Sequence, residues 1–286
     1  FLRDKNNKER QIVVGTKANP AMDGGLSTEG IQGQLKASMD AMHLSNLGEY
    51  YLHQPDTKHS LLESLKFTHS LVTDGIISSV GMSNYHAMEV ERTFQLCQEH
   101  GLTAPTVYQG LYNPLNRLVE EELLPLLRKH DCSFVAYNPL AAGLLAGKHK
   151  TVDDVAEGRF KNNPNYLPRF YTDANFQAME LIRQACDKEG ISTVEASYRW
   201  LLRHSALQAE KDGILLGASS ISQLDQNLES CGAAAEKGPL SDDILAAFDQ
   251  AWDLTKDGAF PYWRSYSLDF PNRENLDQGA SYTVKK

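Results

Sequence analysis

Six short apolar runs, each ending on a polar residue, recur along the chain at a near-regular interval. They span residues 12–17, 50–53, 76–84, 106–109, 133–138 and 214–219. The first five end at positions 17, 53, 84, 109 and 138, so each interval has room for about one strand and one helix. This spacing predicts repeated β/α units.

The segments between the runs have the 3.6-residue apolar period of amphipathic helices. In residues 28–43, Ile31, Leu35 and Met39 share one face, and Ser27 is suited to cap the helix. Similar patterns predict helices over 59–72, 86–100, 116–130, 173–189, 193–204, 221–231 and 241–257. Short strands alternating with such helices predict a parallel sheet covered by helices.

The size of the repeated unit favours an α/β fold of the (β/α)8 TIM-barrel type, because an open six-stranded sheet would leave its edges exposed. Only six strand-like runs are present, so this expectation places two further strands before Phe1. We expect the barrel to occupy residues 1–264 without a second domain. Residues 265–286 are polar and aperiodic, and they predict a mobile tail.

Composition and charge narrow the function classes. The net charge of −9 argues against a nucleic-acid surface, which would need a basic face. No apolar stretch approaches the length of a membrane span. Four widely spaced cysteines, without a Cys-x-x-Cys motif, favour reduced thiols over a zinc site or disulfides. We therefore expect a cytoplasmic protein with no metal and with no nucleic-acid or membrane partner.

The polar residues at the strand ends are the candidates for chemistry, since the carboxyl ends of barrel strands form the active site. A half-desolvated Lys17 could lower the pKa of a neighbouring hydroxyl or have its own pKa lowered, or it could extend into solvent. His53 could donate a hydrogen bond to a carbonyl or act as an acid and base, or it could be a core or capping residue. The ring of strand-end side chains comprises Lys17, His53, Asn84, Gln109, Asn138 and Ser219.

Other polar groups suit a ligand with an amide, an aromatic ring and phosphates. Ser83, Asn84 and Gln109 could bind a carboxamide such as that of nicotinamide beside the Tyr137 ring, or they could cap loops. The small residues of 138–148 would allow close approach of a phosphate chain, or they could form a packed loop. Ser219 and Ser220 precede a predicted helix, where they could bind a phosphate or only cap the helix.

Several segments of the sequence resemble motifs of the aldo-keto reductases, most closely those of the aflatoxin B1 aldehyde reductase branch. They follow one another in the same order and at similar spacing as in that family. They extend over about residues 12–264 and are TKANP (16–20), YLHQPD (51–56), GMSNYHAMEV (81–90), PTVYQGLYN (105–113), AYNPLAAGLLAGK (136–148), GRF (158–160), LLGASSISQLDQNL (215–228) and FPYWR (260–264). The resemblance implies NADPH-dependent reduction of aldehydes by hydride transfer, on a barrel without a Rossmann domain. It also implies that the partners are a small-molecule aldehyde or ketone substrate and a second copy of the chain in a homodimer.

The resemblance assigns roles to individual residues. Lys17 and His53 match the catalytic lysine and histidine. The implied cofactor contacts are Ser83, Asn84, Gln109, Tyr137, Asn138, Pro139, Leu140, Ala141, Gly143, Leu144, Gly147, Lys148, Arg159, Ser219, Ser220, Gln223, Gln226 and Asn227. The implied substrate contacts are His53, Tyr166, Arg169 and Arg264, and the two arginines would suit an aldehyde with a carboxylate, such as succinic semialdehyde.

One part of the family pattern is missing from this sequence. The proton-donating tyrosine and its partner aspartate belong to a D-x-A-x-x-Y motif before the lysine strand, and no tyrosine precedes Lys17 here. We therefore expect the sequence to be a fragment, and the 286-residue chain by itself to turn over poorly. The alternatives are an inactive truncated homologue and a non-catalytic NADP-binding barrel subunit, such as those of potassium channels. His53, Arg169 and Arg264 favour an enzyme.

Overall fold

The computed structural model describes residues 12–147, 160–161, 163 and 166–280. The described residues belong to two compact units. Unit 1 falls within Phe1–Val107 and Ser265–Leu276, and unit 2 within Tyr108–Arg264 and Asp277–Lys286.

Unit 1 contains three β/α repeats whose strands pair in parallel. The strands are β1 (Gly15–Ala18), β2 (Leu47–Leu52) and β3 (Ile77–Ser83), and the helices are α1 (Thr28–Met42), α2 (Leu61–Thr73) and α3 (Ala87–His100). β2 lies between β1 and β3, with Lys17 opposite Tyr51 and Tyr51 opposite Gly81. The predicted alternation of strand and helix is confirmed here.

Local signals in the sequence fix the ends of these helices. The Ser27 hydroxyl accepts a hydrogen bond from the Gly30 amide at the start of α1, as predicted, and His43 ends that helix in the left-handed conformation. Gly101 ends α3 in the same way. Buried side chains such as Ile31, Tyr50 and Leu65 join the helices to the sheet.

Unit 2 begins within β4 and combines three strands with six helices in its described residues. The strands are β4 (Val107–Leu111), β5 (Ser133–Tyr137) and β6 (Gly213–Ile214); the helices are α4 (Leu123–Lys129), α5 (Leu167–Phe170), α6 (Asp173–Glu189), α7 (Thr193–Arg203), α8 (Ile221–Glu236) and α9 (Asp242–Thr255). β5 and β6 pair in parallel. Helix α6 packs against α9, and α7 packs against α8.

The core of unit 2 is largely aromatic. The Phe134 ring stacks on Tyr108 and meets the edge of Tyr112, with centroid distances of 6.1 Å in both pairs. Trp200 lies against Tyr112, and the Arg117 guanidinium lies 4.3 Å from the centroid of the Trp200 ring. These contacts join β4 and β5 to α7.

Three predicted elements differ in the structure. The helix predicted over 116–130 is divided into a 3-10 turn at Leu118–Glu120 and α4, because Pro125 fits only in the first turn of a helix. Gln109 lies within β4 rather than at its end. Ser219 does not end a strand, since β6 is only two residues long.

The segment predicted to be a mobile tail is partly packed into unit 1. Tyr266, Ser267 and Phe270 are buried, and the Ser267 amide donates a 3.0 Å hydrogen bond to Glu89 Oε1. Asp269 accepts hydrogen bonds from the Ser60 hydroxyl, the Leu61 amide and Arg92 at 2.8 to 2.9 Å. The sequence of this segment has no apolar period that would have predicted these contacts. Residues 281–286 of the predicted tail lie outside the described residues.

Within the described ranges, no helix is both long enough and apolar enough to cross a membrane.

The Asp269 contacts predict a pH-dependent contribution to stability. Burial opposes ionisation, but the hydrogen bonds from Arg92, Leu61 and Ser60 prevail and lower the pKa of Asp269. We expect Asp269→Asn to lower the free energy of unfolding by about 1–3 kcal/mol at neutral pH. Because a depressed pKa stabilises the folded state only while the group is ionised, the difference should shrink below about pH 4.

Urea unfolding at several pH values tests this expectation. Asp253→Asn is the matched control, since Asp253 pairs with Lys256 on an exposed surface. Equal effects of the two substitutions at neutral pH would contradict the anchoring role of Asp269.

Candidate active site

The register of the three strands in unit 1 places the candidate catalytic side chains on one face of its sheet. Residues paired across parallel strands point to the same side, and residues two apart along a strand do so as well. Lys17, Tyr51 and Gly81 form one row. His53 and Ser83 belong to the next row, because they follow the Leu52–Met82 pair.

Lys17 lies in a half-buried environment that contains a carboxylate and an aromatic ring. Its Nζ is 5.2 Å from the centroid of the Tyr51 ring. Burial lowers the pKa of Lys17, and the negative charge of Glu49 opposes that shift. The Tyr51 hydroxyl donates a 2.5 Å hydrogen bond to Glu49 Oε2. A lysine in these surroundings can polarise a nearby hydroxyl or carbonyl oxygen.

His53 is fixed by its backbone at the end of β2. Its amide donates to the Ala18 carbonyl at 3.0 Å, and its carbonyl accepts from Asn84 Nδ2 at 2.8 Å. Asn84 Nδ2 also donates to the Ser83 hydroxyl at 2.9 Å. The side chains predicted to contact a carboxamide therefore also hold the ends of β2 and β3 together, which is the loop-capping role.

In unit 2, the three substrate candidates share one electrostatic environment with Tyr137. Burial lowers the pKa of Arg264 to about 10, and the Tyr137 and Tyr166 phenols counteract the shift. Burial raises the pKa of Tyr137 to about 12, against the lowering effect of Arg264 and Arg169. The Arg169 guanidinium lies 3.8 Å from the centroid of the Phe260 ring. Two guanidinium groups held in a desolvated environment favour an anionic ligand.

The Gly-rich segment after β5 is a kinked 3-10 turn over Ala141–Ala146. Ala142 and Gly143 have φ values of 59° and 102°, and Gly147 ends the turn at φ 73°. At Gly143, a side chain would be strained by the backbone conformation, although nothing lies within 4 Å of where its Cβ would be. A cavity of about 360 Å³ borders the turn, with Leu144, Gly147 and Arg183 in its lining.

The turn before α8 contains the other phosphate candidates. The Ser220 hydroxyl caps α8 by accepting from the Gln223 amide at 3.2 Å. The Ser219 amide and hydroxyl both donate to Gln223 Oε1 at 2.9 Å, and Asn227 Nδ2 donates to the Gly217 carbonyl at 3.2 Å. Both serines and Gln226 are exposed. This helix N-terminus is thus ordered by side chains and open to solvent.

The remaining predicted cofactor contacts are positioned by β4 and β5. Gln109 is buried within β4. Asn138 follows β5 with φ 54°, and its carbonyl accepts from Asn113 Nδ2 at 3.1 Å. Pro139 is buried and Leu140 half-buried between β5 and the turn. Lys148 and Arg159 lie outside the described residues.

Glu49 and Tyr51 were not among the predicted site residues. The signal that could have found them is the period of two in β2, since Glu49, Tyr51 and His53 alternate with Tyr50 and Leu52. Glu49 is four residues before His53 in the sequence. Side chains an even number of residues apart along a strand point to the same face of the sheet. In the part of the chain that the structure describes, no cluster of three or more His, Cys, Asp or Glu could hold a metal.

Comparison with known proteins confirms the resemblance. The family model described as "Aldo/keto reductase family" matches residues 1–253. Aflatoxin B1 aldehyde reductase member 2 of Mus musculus is 39% identical, covering 88% of this chain and 71% of the mouse protein. Its human counterpart is 38% identical over 89% of this chain and 73% of its own length. An aldo-keto reductase of Pseudocercospora fijiensis is 34% identical over 90% of this chain and 88% of its own length. These matches confirm the predicted α/β barrel class.

Tyr51 packs so closely against β3 that a methyl group added at Gly81 should destabilise the fold. A Cβ at Gly81 would lie 2.3 Å from Tyr51 Cδ1, and the Tyr51 ring is buried. We expect Gly81→Ala to lower the free energy of unfolding by about 2 kcal/mol or more, because the ring has little room to move. Urea unfolding measures the change.

Gly33→Ala provides the control, since nothing lies within 4 Å of a Cβ at this exposed position in α1. That substitution should be neutral or stabilising by up to about 1 kcal/mol. Equal tolerance of both changes would contradict the described packing.

Proposed function

The chain belongs to the aldo/keto reductase family, and on that premise we propose that it is an NADPH-dependent aldehyde reductase. The family makes it an oxidoreductase and supports a nicotinamide cofactor. The observation that carries the proposal is the half-buried Lys17 beside Tyr51 and Glu49, with His53 one row further along the same face of unit 1.

Lys17 and His53 are suited to activate a carbonyl. A desolvated ammonium at Lys17 would stabilise negative charge that develops on the carbonyl oxygen or on a proton-donating hydroxyl. His53 has its backbone fixed on both sides, by Ala18 and by Asn84. A fixed backbone limits the positions of the imidazole, which can then orient the substrate oxygen through a hydrogen bond.

The cofactor proposal rests on two turns of unit 2 that fit phosphates. The start of α8 combines an exposed Ser219–Ser220 pair with the positive end of a sixteen-residue helix. The turn over Ala141–Ala146 contains small residues and left-handed backbone, which allow close approach of a phosphate chain. When bound, a reduced nicotinamide supplies the hydride. Gln109 and Tyr137, also in unit 2, are proposed to contact its nicotinamide end.

The proposed substrates are aldehydes that carry a carboxylate. Arg264 has a pKa of about 10, so it remains charged at neutral pH despite its burial. Together with Arg169 it would recognise a carboxylate such as that of succinic semialdehyde. The names of the mouse and human relatives suggest aflatoxin-derived aldehydes as a second class and a role in detoxification.

We further propose a cytoplasmic location and a homodimer. Three of the four cysteines, Cys97, Cys132 and Cys186, are buried, and burial raises the pKa of each thiol. Such thiols are unreactive and suit a reducing compartment. The homodimer rests on the resemblance to the family branch.

The direct test is NADPH oxidation at 340 nm by protein expressed from the complete coding sequence, with 4-nitrobenzaldehyde and succinic semialdehyde as substrates. Turnover of either aldehyde with NADPH is the expected result. Tight NADPH binding without turnover would favour a non-catalytic nucleotide-binding subunit. Absence of both binding and turnover would contradict the proposal.

Replacing Lys17 with Met should impair chemistry more than cofactor binding. We expect kcat/KM to fall about 100-fold or more, because the charge that assists proton transfer is lost. The Kd for NADPH, from quenching of protein fluorescence, should change less than about threefold. Lys36→Met is the control, since Lys36 is exposed on α1. Comparable activity of Lys17→Met and wild type would remove Lys17 from the mechanism.

Replacing Ser220 with Asp tests the preference for NADPH over NADH. Aspartate is an equally good N-cap, so the helix is preserved, but its charge would repel a 2′-phosphate. We expect the Kd for NADPH to rise about tenfold, equivalent to roughly 1.4 kcal/mol, while the Kd for NADH changes little. Ser192→Asp at the start of α7 is the matched control. Equal weakening of both cofactors would place the 2′-phosphate elsewhere.

A further inference from the structure

We infer that Glu49 is a positioning residue that acts on Lys17, with Tyr51 holding its carboxylate in place. The inference deepens the proposed function and rests on it, since it concerns the lysine assigned to the carbonyl. Nothing in the family resemblance points to Glu49. The assignment comes from the register, the hydrogen bonding and the charges of β1 and β2.

The register brings Glu49 next to Lys17 on the same face. Glu49 pairs with Gly15, and Lys17 is two residues further along β1. Because Gly15 has no side chain, the Glu49 side chain can lie over it; a Cβ at Gly15 would be 3.3 Å from Glu49 Cβ and 3.5 Å from Glu49 Oε2. The carboxylate thus occupies space that a larger residue at position 15 would fill.

Tyr51 fixes the carboxylate and also contacts the lysine. Its hydroxyl donates the 2.5 Å hydrogen bond to Glu49 Oε2, and its ring lies under Lys17 Nζ at 5.2 Å. Gly81 on β3 leaves room for the ring but little freedom to move. A charge-assisted hydrogen bond to an immobile phenol restricts the Glu49 carboxylate to one orientation.

The charges explain what this arrangement does. Burial alone would favour the neutral amine of Lys17, and the Glu49 carboxylate favours the ammonium. Among the described residues of β2 and β3 and their ends, the side chains on the same face as Lys17 belong to Glu49, Tyr51 and His53, with Ser79 and Ser83 on β3. Of these, Glu49 is the carboxylate, and Tyr51 and His53 are the other titratable groups. Glu49 therefore favours the cationic form of Lys17, which is the form that can stabilise negative charge.

The experiment measures the ionisation of Lys17 without using activity. Acetic anhydride reacts only with the neutral amine, so the rate of Lys17 acetylation, followed by peptide mass spectrometry from pH 6 to 11, reports its pKa. Glu49→Gln should move the midpoint down by about 0.5 to 1 pH unit, which is a three- to tenfold faster reaction at neutral pH. Glu49→Asp, which keeps the charge, should fall between wild type and Glu49→Gln.

The matched control is Glu120→Gln. Glu120 in unit 2 also accepts a hydrogen bond from a tyrosine hydroxyl, that of Tyr112. It should leave the Lys17 midpoint unchanged. If Glu49→Gln does not fold, Tyr51→Phe is measured instead; it keeps the ring, frees the carboxylate and should move the midpoint down by a smaller amount.

An unchanged Lys17 midpoint in Glu49→Gln would overturn the inference, as would an equal shift in Glu120→Gln. The acetylation assay needs neither NADPH nor an aldehyde. Failure of the reductase assay would therefore leave its result intact, and an unchanged midpoint would leave the reductase proposal intact.

Discussion

The parallel register of β1, β2 and β3 is the constraint on which the candidate site of unit 1 depends. It places Lys17 opposite Tyr51 and Tyr51 opposite Gly81, and it brings His53 and Ser83 to the next row. A shift by one residue would turn these side chains to the opposite face. Asn84 secures the register where the strands end, through its hydrogen bonds to the His53 carbonyl and the Ser83 hydroxyl.

Both units contain charged side chains that are partly or fully buried. Lys17 is half-buried beside a carboxylate, and Arg264 is buried beside the Tyr137 phenol. Each placement costs desolvation free energy, which a partner or a ligand must offset. In the proposed reductase, the same desolvation makes the lysine and the arginines effective toward a carbonyl oxygen and a carboxylate.

The order of strands and helices could be predicted from the sequence, because apolar periodicity and capping residues are patterns among neighbouring residues. Ser27 and the helix over Asp173–Glu189 were predicted at their observed positions. Non-local contacts were not predictable. Asp269 is anchored by Ser60, Leu61 and Arg92, which are distant in sequence. Glu49 could have been placed by strand parity, but its hydrogen bond with Tyr51 required the structure. The roles assigned to the site residues remain predictions.

The most direct test of the reductase account is hydride transfer itself. NADPH carrying deuterium in the transferred position at C4 is incubated with 4-nitrobenzaldehyde and protein expressed from the complete coding sequence, and the alcohol is analysed by mass spectrometry. The account predicts one deuterium on the carbinol carbon of the product. An alcohol without deuterium, or no alcohol at all while NADPH binds, would contradict it.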